Sequence, residues 1–391
     1  MNLALAGTSA AERRILLRAL GGAAAVGDSV HLDLSGLDSG EASKRRLQPS
    51  WWIPSLSNLL LGAYADLSLR VTLPQAGAIQ VQLLRGGFYF SLAQRQGRTV
   101  IQALDATSSD YLEKSRETWN PRNTALFPIA EGTRTEGRLY QYANTHRRAE
   151  PGYFRQYQAS AAFPWLGEAL PDPADAPGHQ LRQLFLASVG SSFVEVLDNI
   201  SVHPFASLDP RFEAGWLGSE IGPRARSCLL GSVTKGGDRS HDRLHFLAMD
   251  NGFGIPRTLR WQHPSETRHL SADDLLQSVF TKRLTERGIP GHNGAGLWYL
   301  QETARFAGGT LSVLTEDDRS DGRSAVRFMM TVNRDGKIKT TKSIELIPIR
   351  GTIIHSQLEV PRVGDADLET ISARLRNATA FRGRAQASAG E

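Results

Sequence analysis

The half of the chain from His179 to Pro361 constrains the fold most, because helix and strand patterns follow one another there with clear boundaries. A long helical pattern runs to about His203, and others lie at 271–284 and from Gly296 onward. Strand patterns lie at 228–233, 244–249, 310–314, 326–332, 339–346 and 352–360. Several short strands grouped with a few helices predict helices packed on a mixed, mostly antiparallel sheet.

The first hundred residues predict a smaller domain in which strands alternate with helices. Ser9 and Glu12 form a capping-box pattern before a helical run. Strand patterns follow at 30–34, 67–73 and 87–92, with helical patterns at 53–62 and 78–84 between them. Such alternation is typical of an α/β domain with at least partly parallel strands.

The segment that joins these halves has weak periodicity and ends in a Pro-rich stretch. Three prolines lie between Leu170 and Pro177 and mark a domain boundary. We therefore expect a two-domain α/β protein. Its parts are a domain at 1–100, a connector or extension of that domain at 101–178, a second domain at 179–361 and a frayed tail at 362–391.

The composition excludes several other classes of protein. One of the 391 residues is a cysteine, Cys228, so a disulfide framework and a multi-cysteine metal site are excluded. No apolar run reaches the roughly 20 residues of a membrane span, and charged residues at 12–14 argue against a signal peptide. We expect a cytoplasmic protein with no membrane association. The net charge of +5 is spread in short runs, which does not support binding to nucleic acid.

The first motif that suggests chemistry is Glu195-Val-Leu-Asp-Asn199, inside the long helical pattern. Residues four apart share one helix face, so Glu195 and Asn199 can meet at one site. The amide oxygen of Asn199 is a neutral hard ligand for Mg²⁺, and Glu195 can orient or deprotonate an attacking water. A solvated helix face explains the pair equally well.

The second motif ends an apolar strand pattern, where glycines 252 and 254 follow Asp250. One explanation is a turn, because Asn251-Gly252 is a favourable turn sequence. The other is a ligand site, in which Asp250 is a polar anchor and the glycines allow close approach of the backbone. The local sequence leaves both explanations open.

The third motif, Gly291-His-Asn-Gly294-Ala-Gly296-Leu297, leads directly into a helical pattern. Free backbone N–H groups at a helix N-terminus can bind phosphate, although glycines also serve as loop hinges. A dinucleotide-binding fold is disfavoured, because no βαβ unit with a ribose-binding acid flanks the motif. An EF-hand at Asp250 is excluded, because the alternating oxygen ligands are missing.

Taken in order, the three motifs and Gly351-Thr352 on a late strand pattern resemble the boxes of the GHKL ATPase superfamily. Members of that superfamily include gyrase B, MutL, the ninety-kilodalton heat-shock chaperones, histidine kinases and anti-sigma serine kinases. The resemblance covers about residues 180–361. It implies a Bergerat fold, an α/β sandwich that binds ATP with Mg²⁺.

The resemblance also implies roles for individual residues. Asn199 would coordinate the Mg²⁺ that bridges the ATP phosphates, and Glu195 would activate water for hydrolysis. Asp250 would accept a hydrogen bond from the adenine amino group, with Thr352 supporting the same base.

Further nucleotide contacts are implied along the loops of the domain. Gly252 and Gly254 would let the backbone pass close to the nucleotide. Ile255 would begin a mobile lid that continues from Arg257 to Pro290. The implied contacts at the phosphate end are Lys282, Gly291, Gly294, Gly296 and Leu297.

The first domain resembles STAS domains, through its strand end at 31–36, its amphipathic helix and its 67–74 strand. STAS domains are mostly protein-binding modules, so the pairing implies that nucleotide state alters an interface with a protein partner. Two features of GHKL relatives are missing. We expect no transducer domain after Pro361 and no phosphoacceptor helix of the histidine-kinase type before the domain, so coupling of the gyrase B kind is not expected.

The favoured function is that of a Mg²⁺-dependent ATPase that acts as a regulatory switch in signalling. A protein kinase of the anti-sigma serine kinase or histidine kinase type is the main alternative, and a non-hydrolysing ATP-binding module is the third. Glu195 favours hydrolysis. Dimers with exchanged lids or strands are common in the superfamily, so a homodimer is one expected state.

Overall fold

The chain contains one parallel and one antiparallel sheet, each combined with helices, and is therefore an α/β protein. The structure is a computed structural model. It describes residues 2–4, 10–25, 29–38, 52–61, 67–93, 99–102, 105–116, 124–129, 176–202, 227–234, 242–250, 252–280, 296–320, 324–332 and 337–360.

The parallel sheet belongs to the first part of the chain, and its strands lie side by side in chain order. They are β1 (Asn2–Ala4), β2 (Ser29–Asp33), β3 (Ser68–Thr72) and β4 (Thr99–Gln102). Every pairing among them is parallel. The expected parallel arrangement is confirmed.

The two faces of this sheet differ in exposure. Val30 and Leu32 of β2 and Leu69 and Val71 of β3 are at most 2% exposed. The alternate residues face the other way and are exposed or partly buried, and Val100 of β4 is 59% exposed. Among the described residues, the sheet is therefore packed on one face only.

Five helices accompany the parallel strands. They are α1 (Ala10–Ala25), α2 (Trp52–Leu61), α3 (Gly77–Arg85), α4 (Phe88–Ala93) and α5 (Ala106–Arg116), with a 3₁₀ turn at Ser35–Asp38. Right-handed crossovers between strands in sequential order place the connecting helices on one face. That face is the buried one.

The strand predicted at 87–92 is wrong, because Phe88–Ala93 is the helix α4. Gly87 has a φ of 79° and makes the turn that separates α3 from α4. All six residues of α4 are buried, and Tyr89 contacts Tyr111 of α5 edge-on, with ring centroids 5.5 Å apart. Aromatic residues favour strands in general, but the packing of α4 against both α2 and α5 overrides that preference here.

The antiparallel sheet has seven strands in the order β10-β9-β8-β11-β7-β6-β5. The strands are β5 (Thr124–Ile129), β6 (Ser227–Thr234), β7 (Arg243–Asp250), β8 (Gly309–Glu316), β9 (Ala325–Val332), β10 (Ile338–Glu345) and β11 (Thr352–Glu359). All six pairings among these described strands are antiparallel, whereas a mixed sheet was expected. The strand β5 lies within the predicted connector at 101–178 and pairs with β6.

Helices of the second half cover one face of the antiparallel sheet. They are α6 (Ala176–Val202), α7 (Ile255–Gln262), α8 (Pro264–Thr267), α9 (Ala272–Phe280) and α10 (Gly296–Ala307). The helix α6 packs on β6, β7 and α10, while α10 also packs on β8 and β11. Phe246 and Ala248 of β7 share a core with Phe185 and Val189 of α6.

The opposite face of the antiparallel sheet packs against helices of the first half. Leu247 and Met249 of β7 and Ile353 of β11 belong to the same core as Leu17 of α1 and Leu56 of α2. The helix α2 contacts both β7 and β11. The chain is therefore layered as parallel sheet, helices, antiparallel sheet and helices.

Polar contacts reinforce this packing beside β10. The buried carboxylate of Glu345 pairs with Arg14 of α1 at 3.1 Å and with Arg327 of β9 at 3.3 Å. Gly21 of α1 lies so close to Pro348 that a Cβ there would be 2.6 Å from its ring. None of the described helices is long and apolar enough to cross a membrane.

Candidate functional site

The candidate site is built at one end of the antiparallel sheet, where Asp250 is the last residue of β7. Asp250 is paired with Thr352 of β11, and Thr352 is paired with Thr315 of β8. Directly paired residues point to the same face of a sheet. Asp250 alternates with Met249 and shares the face of Ala248, so this polar row lies on the side covered by α6 and α10.

All three residues of the row are buried. Asp250 is 3% exposed, Thr352 is 6% exposed and Thr315 is fully buried. Burial of polar groups is costly unless they are hydrogen-bonded. Hydrogen bonds to neighbouring backbone and side-chain groups make this burial possible.

Backbone groups fix the position of Asp250. Gly252 donates its N–H to Asp250 Oδ1 at 2.9 Å, which orients the carboxylate. The carbonyl oxygen of Asp250 accepts a hydrogen bond from Asn58 Nδ2 of α2 at 2.8 Å. The predicted turn is therefore present, because the Asp250 carboxylate accepts the Gly252 N–H, while the predicted role of Asp250 as an anchor for a ligand stays a prediction.

Two glycines allow the strand ends to approach closely. Gly351 has a φ of 69°, and a Cβ there would overlap Asp250 Oδ1 and lie 2.5 Å from the Asp250 carbonyl oxygen. Gly254 has a φ of 74°, and a Cβ there would be 2.9 Å from Thr315 Oγ1. Both positions therefore require glycine, in conformation and in space. The neighbours of Gly254 are protein atoms, so its predicted close approach to a nucleotide stays a prediction.

Thr315 joins the loop after β7 to the two neighbouring strands. Its hydroxyl accepts the N–H of Ile255 at 2.9 Å and lies 3.1 Å from the carbonyl oxygen of Gly351. It is also 3.2 Å from the hydroxyl of Thr352. If Thr315 donates to Gly351, the Thr352 hydroxyl donates to Thr315. The hydroxyl groups thus link the residues on which the predicted base-binding site depends.

A buried charge lies next to Thr315. Glu316 is 6% exposed, and its Oε1 is 3.5 Å from Arg257 Nη2 of α7. Burial raises the pKa of the Glu316 carboxyl, while the nearby charges of Arg257 and Arg350 act in the opposite direction. The backbone N–H of Glu316 donates to Gly351 at 3.0 Å. This carboxylate therefore ties α7 to the strand ends.

The predicted lid begins in packed structure. Arg260 of α7 donates to Asp318 at 2.6 Å, to the Thr267 carbonyl at 2.7 Å and to the Leu270 carbonyl at 2.8 Å. Leu259 of α7 packs against Leu275 of α9 in a small core. Residues 257–280 thus form three packed helices. The rest of the predicted lid, from 281 to Pro290, lies outside the described residues.

The helix α6 carries Glu195 and Asn199 as predicted, close to its C-terminal end. Ser192 of the same helix is buried and bonds to Thr303 of α10 at 2.7 Å. The side chains of Glu195 and Asn199 lie outside the described part of the chain. Their predicted roles in water activation and Mg²⁺ binding therefore stay predictions.

The glycine-rich motif is described only from its last glycine. The helix α10 begins at Gly296, in agreement with the prediction that this motif leads into a helix. Leu297 is 7% exposed and packs in the core with α6 and the sheet. Gly291, Gly294 and Lys282 lie outside the described residues, as does any contact they make.

Three site residues were missed by the sequence prediction: Asn58, Thr315 and Glu316. Thr315 and Glu316 end an apolar strand pattern in polar residues, which is the same signal that identified Asp250. Asn58 is a lone amide in the run Trp52–Leu61, and nothing local connects it to Asp250, which is 192 residues away. Only tertiary packing reveals that contact.

The candidate site offers the buried carboxylates of Asp250 and Glu316, the hydroxyl groups of Thr315 and Thr352, and backbone groups at a turn. Within the residues that the structure describes, no group of three or more His, Cys, Asp or Glu side chains could hold a metal ion. The side chain of Asn199, the predicted Mg²⁺ ligand, lies outside the described residues.

The chain matches no protein-family model, and no similarity to a curated protein or to a solved structure was found. The resemblances to the GHKL superfamily and to STAS domains therefore rest on the sequence motifs alone.

Proposed function

We propose that the chain binds Mg²⁺-ATP at the end of β7 and acts as an ATPase of the GHKL type, a nucleotide-dependent switch. In this proposal the second half is a Bergerat-type domain and the first half is a STAS-like domain that contacts a protein partner. Asp250 accepts a hydrogen bond from the adenine amino group, and Thr352 supports the same base.

The observation that supports this proposal best is the buried polar row of Asp250, Thr352 and Thr315 on the helix-covered face of the sheet. A carboxylate in a buried setting discriminates strongly between donors and acceptors, because an unpaired or repelled charge is costly there. Adenine has an amino donor at the position where guanine has a carbonyl acceptor. The row therefore favours ATP over GTP.

The order of elements around the row also supports the proposal. The helix α6 packs on β7 and carries Glu195 and Asn199, while α10 packs on α6 and begins at the last glycine of the third motif. The N-terminus of α10 is polarised to favour an anion such as phosphate. Base, metal and phosphate contacts would then come from three elements that meet at one end of the sheet.

Titration calorimetry with Mg²⁺-ATP and Mg²⁺-GTP tests the binding step. We expect saturable binding of ATP and weaker binding of GTP. Asp250→Asn should weaken ATP binding by about 10-fold or more, because a hydrogen bond to a charged group contributes roughly 1.5–3 kcal/mol. Absence of ATP binding by the wild-type protein would reject the proposal.

Asp33→Asn is the matched control for this substitution. Asp33 also ends a strand, and its Oδ1 accepts the N–H of the residue two positions on, Ser35, at 3.0 Å. It lies in the parallel sheet, so Asp33→Asn should leave ATP binding unchanged. Equal losses in the two variants would mean that Asp250 acts through stability rather than through contact with the base.

Incubation with γ-labelled ATP distinguishes the three functional alternatives. Free phosphate indicates the ATPase, labelled protein or partner indicates the kinase, and binding without turnover indicates the binding module. For the ATPase we expect Glu195→Ala to reduce turnover by about 10²–10⁴ while largely preserving binding. Unchanged turnover in this variant would reject the assignment of Glu195 as the group that activates water.

A further inference from the structure

The most unexpected polar contact of the structure joins the first half of the chain to the backbone of the candidate site. It is made by Asn58, in the middle of α2. All ten residues of α2 are buried, and Asn58 is 1% exposed. An amide in such a position costs free energy unless its hydrogen bonds are made.

Asn58 makes three hydrogen bonds, all to backbone groups at the strand ends. Its Nδ2 donates to the carbonyl oxygen of Asp250 at 2.8 Å and to that of Arg350 at 3.0 Å. Its Oδ1 accepts the N–H of Arg350 at 3.2 Å. One side chain thus connects the end of β7 to the residue that precedes Gly351.

These two backbone positions determine the geometry of the polar row. Gly351 is in close contact with Asp250, and its carbonyl oxygen accepts from Thr315 Oγ1 and from the N–H of Glu316. A shift of Arg350 relative to Asp250 therefore moves Gly351 and, through it, the hydroxyl groups of the row. Asn58 lies on one face of the sheet and the predicted nucleotide on the other. From its face, Asn58 resists such a shift.

We propose that Asn58 is a positioning residue that holds Asp250 and Gly351 in register for the base, so that the packing of the N-terminal α/β unit on the sheet sets the affinity for ATP. The proposal rests on the proposed function, because it assigns a regulatory input to that same site. A partner that displaces α2 from the sheet would release the clamp and weaken ATP binding. By linkage, ATP would strengthen the attachment of α2 to the same extent.

Two substitutions at Asn58 test the clamp in the full-length protein. Asn58→Leu is of similar size and removes all three hydrogen bonds. Asn58→Asp keeps the acceptor for Arg350 N–H but cannot donate to the two carbonyl oxygens, so it provides a second variant if the first fails to fold. Ser57→Ala is the matched control, since Ser57 is buried in the same helix and bonds only within it, to the Ile53 carbonyl at 2.8 Å.

The first readout is the affinity for Mg²⁺-ATP and Mg²⁺-GTP, measured well below the unfolding temperature. For the Asn58 variants we expect a weakening of ATP binding by about 10-fold, within the usual range of coupling between sites, and a reduced preference for ATP over GTP. A purely structural role would lower both affinities equally and keep the preference. Affinity and preference equal to those of Ser57→Ala would overturn the proposal.

The second readout is amide hydrogen exchange without nucleotide. Relative to Ser57→Ala, we expect faster exchange at Arg350 in Asn58→Leu, because its N–H loses the Asn58 acceptor. We expect faster exchange at Gly252 in both Asn58 variants, because Asp250, whose Oδ1 accepts that N–H, is no longer held by Asn58. Exchange equal to that of the control would also overturn the proposal, since it would mean that Asn58 does not hold the site. If the wild-type protein does not bind ATP, the proposed function fails, while this readout still decides whether the clamp exists.

Discussion

The two sheets are covered in the opposite way from what their strand directions would suggest. Parallel sheets are usually buried on both faces, whereas antiparallel sheets often have one face in water. Here the parallel sheet has an exposed face, with Val100 59% exposed, and β7 of the antiparallel sheet is buried on both faces from Phe246 to Asp250. Among the described strands, β7 is therefore enclosed between the helices of the two halves.

Because of this difference in burial, polar residues in the two sheets differ in how strongly they indicate a functional site. On the exposed face of the parallel sheet, His31 and Thr72 bond to each other at 2.9 Å beside solvent. In the antiparallel sheet, Asp250 and Thr315 lie where every polar group needs a partner. A buried polar row at strand ends is therefore a stronger indication of function than an exposed one.

The largest expected effect comes from filling the space at Gly351. In Gly351→Ala the added Cβ would overlap Asp250 Oδ1 and crowd the Gly252 nitrogen at 2.6 Å, at a φ of 69° that side chains rarely adopt. We expect a loss of about 3 kcal/mol or more in the free energy of unfolding, measured by chemical denaturation, together with loss of ATP binding.

Gly22→Ala is the control for this substitution. Gly22 lies in α1, and a Cβ there would have nothing within 4 Å. Alanine in a helix is favoured over glycine, so this variant should gain roughly 0.5–1 kcal/mol. A similar, small effect at Gly351 would show that the strand ends are not as closely packed as described.

Valine-to-alanine substitutions on the two faces of the parallel sheet should differ in their effect on the free energy of unfolding, by less than the effect of Gly351→Ala. Val71 is fully buried and Val100 is 59% exposed, and the two occupy neighbouring strands. Val71→Ala should lower the free energy of unfolding by about 2 kcal/mol, whereas Val100→Ala should change it by less than about 0.5 kcal/mol. Equal losses would mean that the exposed face is covered in solution, for example by a partner.

A further effect is a pH dependence of the antiparallel sheet. His245 and His355 lie on the face of Leu247 and Ile353, toward the N-terminal helices. Burial lowers the pKa of His245 to about 3, with Arg85 nearby adding to the effect, and burial lowers the pKa of His355 to about 4. Their ordinary value is 6.5, so the unfolded chain binds these protons more readily.

The order of these pKa values determines how the free energy of unfolding changes with pH. The contribution of the neutral His245 and His355 to the free energy of unfolding is fully present above pH 6.5. It is lost as the pH falls toward 4 and then 3, because protonation favours the unfolded state. We expect the thermal midpoint to fall between pH 7 and pH 5, and the double variant His245→Gln/His355→Gln to reduce this slope. The same slope in wild type and double variant would contradict the assignment.

Most of the strands and helices could be predicted, because their apolar periodicity is clear. The helix that begins at Phe88 could not, since its aromatic residues favour a strand and only packing between helices decides otherwise. The packing of α1 and α2 on the antiparallel sheet was also not predictable. It depends on contacts such as that between Arg14 and Glu345, which lie 331 residues apart.

The candidate site was predictable in part. Asp250, Gly254 and Thr352 follow from a strand end, a glycine pattern and a late strand, and the structure brings them together. Thr315 carries a similar but weaker signal at its own strand end. Asn58 carries none, because its contacts are made only after distant segments of the chain have packed.

The place of β11 between β7 and β8 has a consequence for synthesis of the protein. The parallel unit is built from strands in chain order and can begin to form while the rest is being translated. The site cannot, because Asp250 acquires its neighbour Thr352 only after about a hundred more residues have left the ribosome. We therefore expect nascent chains that end before Thr352 to contain a folded N-terminal unit but not the polar row of the proposed site.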